Sequence, residues 1–362
     1  MTNGISDSAQ SNEAVLKRCR DISKKIRGYV ATFGINDDVW AEAISSQYFL
    51  LCLAKQLKWA KKDYINLLNR CLSSFSVTYD GNLILDNEKI LITPEETSRI
   101  VACMMEEDSE DSFFTRSAKL QAKNINSEQM YLNFHYGLLI RIVSLEDTGT
   151  LREIKHKCLD CLCSDNAVDT SYGWYPYRVP WITARILISL RDVDLSSYPE
   201  KDKVTHIINS AIVSLFQRID QNAAYWRSGV GKWVSKWEST GLCLEALYMW
   251  DAIASNKADV EKVMHYVCSS ENRSNWLEPS ISFETEESTN NILAAIILAS
   301  VVVRVARQYF PNIYDELCDD VLHFFETVIK NLNKKDNKAY RQYCTFPQIL
   351  HYILAAIETI EK

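Results

Sequence analysis

Glycine and proline are scarce, ten and seven in 362 residues. A chain so poor in turn-formers is badly suited to a many-turned β architecture, and helices are favoured. Positive charge is not in excess either: 40 Lys and Arg against 47 Asp and Glu leave a formal net charge of −7, a poor electrostatic basis for nucleic-acid binding. No uninterrupted apolar run reaches the roughly 18 residues of a membrane span. The longest, 292–306, is broken by Arg304 and followed by Arg307, and is expected to be a buried helix. Residues 1–12 are rich in Ser, Asn and Gln without an apolar stretch, the pattern of a disordered tail rather than a signal peptide. Gly-x-Gly-x-x-Gly, Walker, Gly-x-Ser-x-Gly and His-Glu-x-x-His motifs are all missing. The six histidines are dispersed and suggest no triad. Cysteine is not lacking, but its eleven copies are odd in number and fall mostly on apolar helix faces, as at Cys52, Cys103, Cys243 and Cys268. Reduced thiols packed as small hydrophobes fit that usage, so a cytoplasmic location is expected.

What the chain does contain is a phrase written four times: an aromatic or turn segment, a Glu/Ser/Thr cluster, then an aliphatic helix. The clearest copy is Gly231-Lys232-Trp233, Trp237-Glu238-Ser239-Thr240, then Gly241 to Leu247. The others are Asn275-Trp276 with Glu286-Glu287-Ser288-Thr289, Gly173-Trp174 with Pro180-Trp181-Ile182-Thr183, and Asp80-Gly81 with Thr93-Pro94-Glu95-Glu96-Thr97.

Helical periodicity dominates, and two helix types alternate at a spacing of roughly 50 residues. Segments 61–73, 151–163, 203–219 and 314–332 are amphipathic. Segments 39–57, 181–190, 241–253, 292–305 and 349–357 are apolar nearly all round and must be buried on all sides. The remaining helices are expected near 15–29, from Pro94, at 127–145 and at 260–267, with a loop over 165–180. An Asp-Gly turn between alternating residues predicts a small β-hairpin near 77–92. This alternation predicts an all-α fold, a ring of six or seven helical hairpins in one domain over 13–362.

The order of outer helix, Gly-x-Trp segment, short connection and Ser/Thr-led inner helix resembles the repeat of the squalene cyclase and protein prenyltransferase α/α toroids, over roughly residues 70–360. Gly231-Lys232-Trp233 with Gln217 or Gln221 upstream, and Gly173-Trp174, carry the likeness. Most copies lack the full Gln-Trp element, and the glycine content is low for the prenyltransferase branch. The resemblance implies an α/α toroid, with the inner-helix N-termini gathered at one rim.

That rim would hold Glu238, Glu286 and Glu287 beside Trp174, Tyr177, Arg178, Trp181, Trp226, Trp233 and Trp237. An aromatic and acidic mouth over an apolar lumen suits a ligand or a protein partner. Helix capping accounts for the acids as well, and core anchoring for the aromatics. Glu284-Thr285-Glu286-Glu287-Ser288-Thr289 resembles the Asp-x-Asp-Asp-Thr-Ala motif of class II terpene cyclases, which implies Glu286 as the proton donor; each Asp of that motif is a Glu here. Zinc is not expected. His156, Cys158, Cys161, Cys163 and Asp165 cluster in sequence, but the 100° helical step sends them to different faces. No cofactor, nucleic acid or membrane span is expected. With no motif intact, a non-catalytic binding protein is the first expectation. A toroid enzyme, either terpenoid cyclase-like or a carbohydrate-cleaving carboxylate enzyme, is the second.

Overall fold

The computed structural model describes residues 4–30, 53, 56–58, 75–77, 83–85, 156, 159–160, 162–163, 168–169, 173–174, 180–191, 193–220, 224–227, 235–277, 281, 286–332 and 346–362. These are mostly helical. In chain order the helices are α1 (Gly4–Tyr29), α2 (Pro180–Leu190), α3 (Lys201–Gln217), α4 (Lys236–Met249), α5 (Lys257–Cys268), α6 (Ser270–Leu277), α7 (Glu286–Tyr309), α8 (Pro311–Leu332) and α9 (Phe346–Glu361). Strands β1 (Phe75–Val77) and β2 (Leu83–Leu85) pair antiparallel, Val77 opposite Leu83. This pair overlaps the start of the hairpin expectation over 77–92, whose remaining residues lie outside the described ones. A second pair, β3 (Val168–Asp169) with β4 (Gly173–Trp174), falls where a loop is expected.

Three other boundaries differ from expectation. Helix α1 begins at Gly4, inside the segment whose composition suggests a disordered tail; the side chains of residues 4–12 are outside the described ones. Asn275-Trp276 lies in a helix, α6, that the periodicity does not predict. Helix α4 ends at Met249, short of the expected 253, and Asp251 then takes a positive φ of 53°.

The two helix types have different burial. Every residue of α4 from Ser239 to Leu247 is buried. So is every residue of α7 from Ile292 to Val303. Helix α8 instead buries one face, including Leu317, Val321, Phe325 and Val328, and turns Asp315, Glu316, Asp319 and Asp320 outward. Helix α7 is long and apolar enough to cross a membrane by length and composition, over Ser288–Tyr309, but 83% of its apolar window is packed inside the protein.

Helices α2, α4, α7 and α9 pack successively against one another. The amphipathic helices pack onto them: α3 on α2, α5 and α6 on α7 and α8, α8 on α7. Gly241 permits a close approach between α4 and α7. A Cβ there would meet Ile297 Cγ2 at 3.1 Å and the Leu298 backbone at 3.2 Å, so α4 and α7 nearly touch backbones. The first helix joins the last two: α1 packs on α8 and α9. Arg18 chelates Glu326 through Nε at 2.9 Å and Nη2 at 3.1 Å, and also pairs with Asp319. Leu53 and Leu57 enter the same core, and Gln56 Oε1 lies 2.9 Å from His351 Nδ1 on α9.

Candidate functional site

A helix end leaves carbonyls short of intrahelical donors, and here tryptophans supply one; at Leu215 O the indole adds to the Arg218 N–H at 3.2 Å. Trp174, 1% exposed on β4, donates its indole N–H to Leu162 O at 3.0 Å. Fully buried Trp226 donates to Leu215 O in the last turn of α3, at 2.7 Å. Trp276, 1% exposed, donates to Val267 O in the last turn of α5, at 2.9 Å. Two copies of the phrase, through Trp174 and Trp276, and the Trp226 segment that precedes a third thus use one device. A tryptophan about 10 residues beyond an outer-type helix folds back and closes that helix's C-terminus. Trp250 does the same between inner-type helices, from the end of α4 to Leu187 O of α2, at 2.8 Å.

The Ser/Thr cluster has its own role. Ser235 caps α4, its Oγ accepting from the Glu238 N–H at 3.1 Å. Thr240 Oγ1 donates to Lys236 O at 2.7 Å and accepts from the Trp226 backbone N–H at 3.3 Å. Ser239 donates to Arg227 O at 3.2 Å. These buried hydroxyls tie the Trp226 segment to the start of α4.

What remains at this helix start is neither clamp nor cap. Lys236 Nζ stands 4.3 Å from the Trp237 ring centroid and 5.3 Å from that of Tyr225. Tyr225 stacks on Tyr266 of α5 at 5.6 Å, and Trp237 lies 6.5 Å from the same ring. All four side chains are partly exposed. On the α2 side, the Arg185 guanidinium sits 5.3 Å over Trp181 and reaches Glu238 Oε1 with Nη2 at 3.4 Å. Burial raises the Glu238 carboxyl above its ordinary range, against the pull of Arg185 in the other direction.

Two turns further along α4, Glu245 meets Arg304 of α7, Nη2 to Oε1 at 3.0 Å, with both side chains largely buried. Arg304 also lies 5.7 Å over the Tyr248 ring and donates through Nε to Ser300 O at 3.2 Å. Glu238 and Glu245, seven residues apart, share a face of α4. That face therefore carries two Arg–Glu pairs, to α2 at the rim and to α7 deeper in.

The expected site residues separate accordingly. Trp181 and Glu238 meet through Arg185 at the α2–α4 edge, while Trp237 faces Lys236 and Tyr266 of α5. Trp174 and Trp226 are core anchors whose one polar atom is already bonded. Glu286 and Glu287 open α7, with side chains outside the described residues. Tyr177, Arg178 and Trp233 also lie outside them. Sequence reasoning did not single out Tyr266, Arg185 or the Glu245–Arg304 pair. One signal for the last was present: a charge inside an otherwise aliphatic run occurs at both positions. Among the described residues no group of three His, Cys, Asp or Glu is placed to hold a metal ion. Cys163, from the His/Cys cluster, is buried, and burial pushes its thiol up to about 12.

No protein-family model matches this chain, and no curated protein or solved structure does either.

Proposed function

We propose that this chain is a helical-repeat protein of the α/α-toroid kind that binds a protein partner or small ligand through the aromatic and acidic rim at its inner-helix N-termini. The toroid reading, as one domain of six or seven hairpins with the β1–β2 pair as an insertion, is supported by the side-by-side order α2, α4, α7, α9 and by the return of α1 onto α8 and α9. The observation that carries the binding reading is a pair of clusters at the start of α4, the partly exposed Tyr225, Lys236, Trp237 and Tyr266 toward α5 and Trp181, Arg185 and Glu238 toward α2. Large amphipathic rings with a few fixed polar groups are what ligand mouths use. Buried free thiols at Cys19, Cys243 and Cys318 accord with a cytoplasmic setting.

The test is to purify the chain from its native host and identify bound species by native mass spectrometry, alongside Trp181→Ala/Trp237→Ala. A species held stoichiometrically by the wild type and lost from the double variant, with its unfolding midpoint kept, is expected. The same species held equally by both would contradict the rim.

The raised carboxyl of Glu238 favours one second reading, a toroid enzyme in which Glu238, Glu286 or Glu287 donates a proton, in terpenoid cyclisation or in carbohydrate cleavage. A general acid needs a pKa raised toward the working pH. Loss of turnover of a polyene or polysaccharide substrate in Glu238→Gln and Glu286→Gln is expected on this reading. Turnover unchanged in both variants, or absent from the wild type, removes it.

A further inference from the structure

On the far side of α1 from its clamp on α8 lies a cleft of about 720 Å³, between α1, residues 56–58 and the end of α9. Its size falls within the range of small-molecule sites. Five cations line it: Arg20, Lys24 and Arg27 from α1, Lys58, and Lys362. Leu57 and Leu354, both buried, form an apolar part of the wall. Arg20, Lys24 and Arg27 recur at i, i+4 and i+7, so they form one stripe on α1.

The contrast with Arg18, on the same helix, is informative. Arg18 is neutralised by Glu326 and Asp319. None of the five cleft cations makes an ion pair within 4.0 Å among the described residues, although Glu358 and Glu361 share the cleft. Lys362 and Lys58 act electrostatically on Glu358, but five cations against two carboxylates leave an excess of positive charge, which a multiply charged anion relieves. Arginine and lysine together match phosphoryl oxygens, the one as a planar fork and the other as a point charge.

We propose that this cleft is a binding site for a compact polyphosphate anion, separate from the rim at α4. The phosphoryl groups sit against Lys24, Arg27 and Lys58, and any apolar remainder of the ligand lies along Leu57 and Leu354. The site rests on the docking of α1 at the end of the chain and does not depend on the rim reading.

Isothermal titration of the full-length chain with inorganic tripolyphosphate at low salt tests this. One-to-one binding is expected, weakening as salt rises. The double reversal Lys24→Glu/Arg27→Glu should weaken it roughly tenfold or more, while Lys201→Glu, an exposed reversal on α3, leaves it unchanged. Circular dichroism of each variant checks that the helices persist, and Lys58→Ala gives a second, milder loss at the same site. Absence of binding, a stoichiometry well above one, or equal weakening by Lys201→Glu would each overturn the proposal. Capture by vesicles containing phosphoinositide, with no affinity for the soluble anion, would overturn it as well, since it would assign the cations to a membrane surface.

Discussion

Two sets of tryptophans serve different ends in this molecule. Trp174, Trp226 and Trp276 are buried and spend their one donor on a helix-end carbonyl. Trp181 and Trp237 are partly exposed, and each faces a cation instead, Arg185 and Lys236. The first set closes the outer helices; the second has polar surroundings and open faces. The residue type is the same and the sequence context is nearly the same, so the difference lies in which connection each ring occupies. The clamps sit before the turn into the next inner helix. The rim rings sit in that helix's first turn.

The largest expected effect breaks a clamp. Trp226→Ala removes a fully buried indole and should lower unfolding free energy by about 3–5 kcal/mol, read from urea midpoints. If the loss is under about 1 kcal/mol, Trp226 is not an anchor. Next comes the ion pair deeper along the rim's own helix face. Glu245→Ala leaves the Arg304 guanidinium, 13% exposed, without its carboxylate and should cost about 3 kcal/mol. The double variant Glu245→Ala/Arg304→Met should recover part of that loss, because it also removes the stranded charge. Gly241→Ala probes the α4–α7 contact on which both regions rest. Its new methyl must displace Ile297 or the Leu298 backbone, at a cost of about 1–3 kcal/mol.

The smallest effect is one of pH at the rim. Glu238 is raised in the folded state, so the folded protein holds this proton more tightly than the unfolded chain does. The resulting stabilisation is fully present below the ordinary carboxylate value of 4.5 and is lost as pH rises through the folded-state value. The stability difference between wild type and Glu238→Gln should therefore be more favourable to the wild type near pH 5 than near neutrality. A difference that grows in the opposite direction would show that Arg185 outweighs burial.

The fold was more readable from sequence than the site, for physical reasons. A helix apolar all round, as over 292–305, has only one way to satisfy its surface, and the alternation with helices such as 314–332 follows from the same rule. Capping is expected of the Glu238-Ser239-Thr240 cluster, but the helix starts earlier and its cap is Ser235, which the cluster's composition does not single out. The tryptophan clamps were not readable either. Their acceptors lie 9–12 residues back, a distance that neither helical nor strand periodicity encodes. The Arg185–Glu238 and Glu245–Arg304 pairs join residues 53 and 59 apart, so they appear only once α2, α4 and α7 lie together. The β3–β4 pair is two residues long, too short to leave a pattern of alternation.

The division between clamp and rim is tested most directly by a uniform Trp→Phe series at positions 174, 226, 181 and 237, with urea unfolding of each variant. Phenylalanine keeps most of the ring and removes the N–H. At 174 and 226 it removes a buried indole-to-carbonyl bond and leaves a void beside the smaller ring, although Leu215 O keeps the Arg218 N–H at 3.2 Å, and should cost about 1–3 kcal/mol. At 181 and 237, where the ring meets a cation, the loss should stay below about 1 kcal/mol. Equal losses at all four positions would contradict the account, because the rim rings would then be as structural as the clamps.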